Sequence, residues 1–278
     1  MLIPMEELNS RKPDIVGSNA KIYFLDDELL AKRFVRMKDY EKKDRLRRYE
    51  HAKTVTDLDE LSLPVDILET ERGFCGYIEK IIPGMFDGNL ETYSDHYNKH
   101  SHDITLDDIT AYMSKVCSAV DKCHKNGIIN PDMASNRNVL FNPKTRDIHL
   151  IDYHDMQVGN ITTEAISSFI SFDPIIRSEK YYKNGIYTPN IDLYTLAIRF
   201  FYYATKIDVP RSSEHHYNIE ELLDMAGISD TSFAECMRTL YNPRIDNLDI
   251  RESITELSEN YKLSEFRRGH IRKLIKKR

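Results

Sequence analysis

The sequence predicts an α+β fold in two parts, a small and mainly β N-terminal portion followed by a mainly helical remainder. Three observations predict it. Before about residue 84, short strand-like runs alternate with one charged helical stretch. From Thr105 onward, apolar residues recur at helical spacing. The length, 278 residues, exceeds one ordinary domain and buries one large core or two lobes.

Each element follows from local text. "AKIYFL" and "LLAKRF", separated by the acidic turn "DDE", predict a β-hairpin. Between Arg36 and Lys53 a highly charged stretch with few apolar residues, Leu46 and Tyr49 among them, predicts a solvated helix that touches its neighbours along a thin edge. "LPVDIL" and "GFCGYIEKII" predict two more strands, the second ended by Pro83-Gly84. The boundary between the two parts is expected near Ile81–Gly88. Thr105 and Asp108 form an acidic variant of a capping box, and Ile109, Tyr112, Met113, Val116, Val120 and Cys123 mark one helical face that Gly127 closes. "NVLFN" and "IHLIDY" pair across the turn "PKTRD", and a second apolar helix opens at Asp192. Phe200, Phe201, Tyr202 and Tyr203 on that helix are expected in its core.

Composition narrows the class. An apolar fraction of 41% with 30% charged residues describes a globular chain. No apolar run reaches the length of a membrane span, and the start lacks the layout of a signal peptide. The four cysteines make no CxxC pair, so free thiols in a reducing, cytoplasmic setting are expected. The net charge of −6 hides an asymmetry: Arg267 to Arg278 carries seven Lys or Arg and no acid, leaving −13 on the rest. That balance argues against a broad nucleic-acid surface. The tail itself is read either as a last helix with a solvated cationic face or as a dock for an anionic partner.

Phosphoryl transfer requires a cation on the nucleotide phosphates, oxygens that hold Mg²⁺, and a carboxylate that orients the attacking hydroxyl. In that order the chain offers Lys32, then Asp132 and Asn138 in "IINPDMASNRNVLFN", then Asp152 in "LIDYHD". Mg²⁺ takes a few oxygen ligands and keeps waters, so Asn138 and Asp152 suffice. Taken alone, Lys32 is a strand-end lysine and Asp132 a turn aspartate bonded to its own backbone. His215 and His216 have no second ligand pair at metal spacing and are assigned to a surface loop.

The order and context of these motifs resemble the eukaryotic-type protein kinase superfamily from about Asp14 to about Leu263. The resemblance implies a two-lobed fold, with an N-lobe over 1–84, a C-lobe over 85–265 and a basic tail over 266–278. It implies ATP and Mg²⁺ as cofactors and a protein Ser/Thr substrate or a regulatory protein partner. "LLAKRF" is similar to the strand that carries the nucleotide lysine, Lys32, and the partner glutamate on the next helix maps to Glu50, with Glu41 and Asp44 nearby. "GYIEKIIPG" resembles the gatekeeper and hinge, with Ile78 as gatekeeper and Glu79 to Ile81 offering backbone groups to adenine. "SAVDKCHKNGIINPDMASNRNVLFN" resembles the helix and catalytic loop, making Asp132 catalytic and Asn138 a metal ligand. "HLIDYHD" resembles the DFG strand, with Asp152 on metal. Glu179 matches the glutamate of the APE motif, and Asp192 the aspartate that braces the catalytic loop.

Departures from the pattern are specific. Of the three glycines expected in "IVGSNAKIY" only Gly17 remains. Asn130 and Pro131 replace the histidine and arginine before the catalytic aspartate, which removes the usual receiver for a phosphate on Ser167, Ser168 or Ser171. Asn138 lies six residues after Asp132, where the family has five, and Tyr153-His154 replaces Phe-Gly. Three readings follow: a Ser/Thr-type protein kinase, a pseudokinase acting as a binding or regulatory module, and a small-molecule phosphotransferase.

Overall fold

The computed structural model describes residues 5–17, 19–82, 106–133, 138–142, 145, 147–166, 174–205, 219–241, 253 and 256. The cap at Thr105, the turn at Pro83-Gly84, the serines at 167, 168 and 171, the histidines at 215 and 216 and the basic tail lie outside them. The chain is mixed α/β, and it divides into two compact units, Met1–Met85 with His149–His154, and Phe86–Ile148 with Asp155–Arg278. The first unit therefore takes back six residues that linear reading assigns to the later part.

In the first unit, strands β1 (Ile15–Val16), β2 (Ala20–Phe24), β3 (Leu29–Phe34), β4 (Pro64–Thr70) and β5 (Gly73–Lys80) form one antiparallel sheet in the order β1-β2-β3-β5-β4. The acidic turn works as its sequence implies: the Asp26 carboxylate accepts from the N–H groups of Glu28 and Leu29, both at 2.8 Å, which closes the β2–β3 hairpin. The β4–β5 hairpin turns over Glu71-Arg72 into Gly73, whose φ of +89° is a conformation that side chains with a Cβ rarely adopt. Gly76 has a different reason, since a Cβ there would collide with the Lys32 carbonyl on the neighbouring strand.

Alternation along the strands gives the sheet two faces. One buries Tyr23, Ala31, Leu68 and Ile78. The other buries Ala20, Phe34, Phe74 and Tyr77, with Leu46 and Tyr49 of helix α2 (Asp39–Ala52) against it. A six-residue helix, α1 (Met5–Ser10), precedes the sheet. Helix α2 does touch its neighbours along a thin edge, and the contacts are anchored by polar groups. Tyr77 Oη donates to Arg45 O at 2.6 Å, and the Arg45 guanidinium lies 3.8 Å from the Phe34 ring centroid. The returning segment 149–154 joins through a parallel bridge between Leu61 and Leu150, with Ser62 N–H donating to Leu150 O at 2.9 Å.

The second unit is largely helical among the described residues. Helix α3 (Leu106–Lys125) packs on α4 (Asn190–Thr205), and α5 (Ile219–Ala226) and α6 (Ser232–Leu240) pack on each other. Tyr112, Met113, Val116, Val120 and Cys123 are buried as their spacing predicts, as are Phe200 and Phe201. Gly127 ends α3 with a φ of +68°. Strand β6 (Ile128–Ile129) follows at once and pairs with the later β9 (Gln157–Val158) in antiparallel register. Between them lie β7 (Val139–Phe141) and β8 (Ile148–Leu150), the turn before β8 closed by Asn142 N–H on Asp147 O at 2.8 Å. The hairpin of β10 (Tyr182–Lys183) and β11 (Ile186–Tyr187) leads into α4.

Candidate functional site

Two clusters of candidate residues form, one in each unit. In the first, Lys32 and Asp152, 120 residues apart in the chain, form an ion pair. Strand β3 projects Lys32 onto the α2 face of the sheet, where it is 7% exposed. Asp152 stands at the end of the returning segment with a φ of +68°. A non-glycine residue there is uncommon, although Asp tolerates it better than most. The next two residues anchor this turn. Tyr153 Oη donates to Arg48 O at 3.0 Å and lies 2.9 Å from His51 Nδ1. His154 is buried beside the Phe34 ring, and burial, with the charges of Lys32, Arg45 and Arg48, holds its imidazole well below the ordinary histidine range.

Glu79 belongs to this cluster through its side chain. It is 6% exposed, and Ser62 Oγ donates to its Oε2 at 3.4 Å. Burial pushes its carboxyl above the ordinary range, Lys32 opposes that and Asp152 adds to it. The resemblance implies Ile78 as gatekeeper and backbone groups of Glu79 to Ile81 offered to adenine. In the observed register Ile78 pairs with Ala31 and points into the opposite core, while Glu79 pairs with Leu30 on the Lys32 face. A step of one residue along a strand exchanges the faces. The Ile81 N–H, expected to be offered to adenine, donates to Glu28 O at 2.7 Å and extends the sheet.

Glu50 is also placed differently from expectation. It is exposed on α2 and accepts from Lys53 at 2.7 Å, a neighbour three residues on, in place of Lys32. Gly17 donates its N–H to Ala20 O at 2.9 Å in the turn joining β1 and β2, where a Cβ would come within 3.3 Å of that oxygen.

In the second unit, the loop after β6 is organised by one buried carboxylate. Asp192, 1% exposed at the start of α4, accepts from the Asn130 N–H at 3.1 Å and from His124 Nε2 at 2.8 Å. Burial pushes its carboxyl above the ordinary range, against the His124 and Asn130 hydrogen bonds. Asn130 Oδ1 in turn accepts from the Asp132 N–H at 3.2 Å. Asn138 Nδ2 donates to both the Asp132 carbonyl and the Asp132 Oδ2, each at 3.0 Å. The six-residue spacing thus still brings these two side chains together.

Within the second unit, Asn138 directs its Nδ2 to Asp132, which leaves its amide oxygen as the atom able to ligate a cation; within the first, Asp152 offers a carboxylate. Among the described residues no group of three or more His, Cys, Asp or Glu gathers into a metal cage. Also among them, no helix is long and apolar enough to cross a membrane. No protein-family model matches the sequence, and no curated protein matches it.

Sequence reasoning missed the side chains of Glu79, Ser62 and His154. For Glu79 a signal existed: Tyr77 and Glu79 share parity, and a strand buried on both faces leaves no exposed side for a carboxylate. For Ser62, which reaches Leu150 through its backbone and Glu79 through its hydroxyl, no local signal exists.

Proposed function

We propose that this chain is a two-lobed, protein-kinase-like phosphotransferase that moves the γ-phosphoryl group of ATP to a protein Ser/Thr hydroxyl. The Lys32–Asp152 pair carries the reading: a buried ammonium from an early strand meets a strained aspartate from a segment more than a hundred residues later. Lys32 binds the nucleotide phosphates. Asp152 and Asn138 are each a candidate ligand for Mg²⁺, which would neutralise charge on the phosphates. Asp132 orients the hydroxyl and accepts its proton, on a loop that Asp192 fixes through Asn130. The cytoplasm is the compartment consistent with ATP and with four free cysteines.

A second reading, nucleotide binding without transfer, is favoured by one observation. The Asn138 amide donates into the carboxylate that would take the proton. Incubation with labelled ATP and Mg²⁺ or Mn²⁺ separates the readings. Transfer to protein is expected from wild type, with Asp152→Ala lowering it about a thousand-fold. No transfer together with no nucleotide-induced thermal shift would sink the proposal. A thermal shift without transfer selects the binding module, and labelling of small hydroxylated compounds but never protein selects a small-molecule enzyme.

A further inference from the structure

We infer that Glu79 is the positioning carboxyl group of Lys32, and that it holds the ammonium in place when the Lys32–Asp152 pair opens. The inference rests on the nucleotide reading above and assigns to β5 a part that the sequence pattern placed on α2. The sheet register carries it. Leu30 pairs with Glu79 and Lys32 with Tyr77, so Lys32 and Glu79 project from adjacent strands onto one face. Both are almost entirely out of water, at 7% and 6% exposure, whereas the Asp152 side chain is one-third exposed. Lys32 and Asp152 are the charged groups that act on Glu79. Glu50, by contrast, is at the surface and engaged by Lys53.

The physical consequence concerns what happens when Asp152 turns toward a cation. Loss of a counter-charge is unfavourable for a buried ammonium, and without a second carboxyl group nearby Lys32 would tend to follow Asp152. A second carboxyl group on the rigid sheet removes that penalty and holds the ammonium in place for the phosphates. Ser62 adds direction. Its hydroxyl orients Glu79 while its N–H holds Leu150, two residues before Asp152, so one residue positions both acidic partners of Lys32.

A double-mutant cycle on the full chain tests the pairing without any nucleotide. In urea unfolding, Lys32→Met and Glu79→Gln should be non-additive by about tenfold in the unfolding equilibrium constant, and Lys32→Met with Glu50→Gln additive. Additivity at 32 and 79, or equal coupling at 32 and 50, overturns the inference. Should a variant fail to fold, native wild-type chain treated with a carbodiimide provides the second measurement. An amide between Lys32 and Glu79, formed with loss of water to the reagent, is expected by peptide mass spectrometry; a Lys32–Glu50 amide in its place overturns the inference. In the transfer assay, Glu79→Gln should raise the KM for ATP about tenfold with a smaller effect on kcat, and Glu79→Asp should restore part of it. If wild type transfers and Glu79→Gln matches it in both constants, the inference falls and the kinase reading stands. If wild type neither binds nor transfers, the reading falls, and the urea cycle still decides the pairing.

Discussion

The two clusters hold their carboxylates in opposite ways. Around Lys32 in the first unit, charge meets charge: one ammonium, Asp152 and Glu79, with a long hydrogen bond from Ser62 to Glu79. Around Asp192 in the second unit, a carboxylate meets a backbone N–H and an imidazole. Partners of the first kind can be exchanged at little structural cost, because a charge can be replaced by a charge. Those of the second kind cannot, because a backbone N–H left without an acceptor is a lasting loss. A carboxylate held by main chain braces its loop, and one held by side-chain charge keeps the freedom to change partners.

That contrast can be broken in order of expected effect. Asp192→Ala should cost about 3 kcal/mol in urea unfolding, since it strands the Asn130 N–H and the His124 imidazole together. A loss as small as that of a surface substitution would mean that the loop does not depend on this carboxylate. Gly76→Ala comes next, at about 2 kcal/mol, because β3 and β5 must part to admit a methyl group beside the Lys32 carbonyl. Unchanged unfolding there would show that the strands yield easily.

The third test uses pH. Burial holds the His149 imidazole below its ordinary value, with Glu60 opposing in part, and Nε2 has no hydrogen-bond partner. The unfolded chain takes up this proton near about pH 6.5 while the folded chain resists it. Stability from this group is therefore complete above that pH and is lost as the pH falls below it. His149→Phe should flatten the dependence of the urea midpoint on pH across that range, and an unchanged slope would remove His149 as a source. The smallest effect is assigned to Glu50→Gln, which should leave the unfolding midpoint where it was, because an exposed pair with Lys53 contributes little. A clear loss would reinstate Glu50 as a partner of the sheet.

Much of this was legible in the chain itself. The β2–β3 hairpin could be read from alternation and an acidic turn, α3 from its apolar face and closing glycine, and the loop brace from Asp192 at the start of a helix. Lys32, Asp132, Asn138 and Asp152 were readable as candidates because residue type and order along the chain survive without coordinates. What stayed hidden was partner choice. Glu50, Glu41 and Asp44 share one charged helix, and local text does not say which carboxylate reaches the sheet; none of the three is Lys32's ion-pair partner, which is Asp152.

The sequence by itself determined which segments become strands and helices, because periodicity and turn chemistry act over a few residues. It also determined which side chains are candidates for chemistry. Only the tertiary structure decided that Glu79 rather than Ile78 shares a face with Lys32, since that depends on the register between β3 and β5. It also decided that residues 149–154 return to the first unit, bringing Asp152 to Lys32. Both are contacts between residues far apart in the chain, and no local preference encodes them; they follow from burying two faces of one sheet at once.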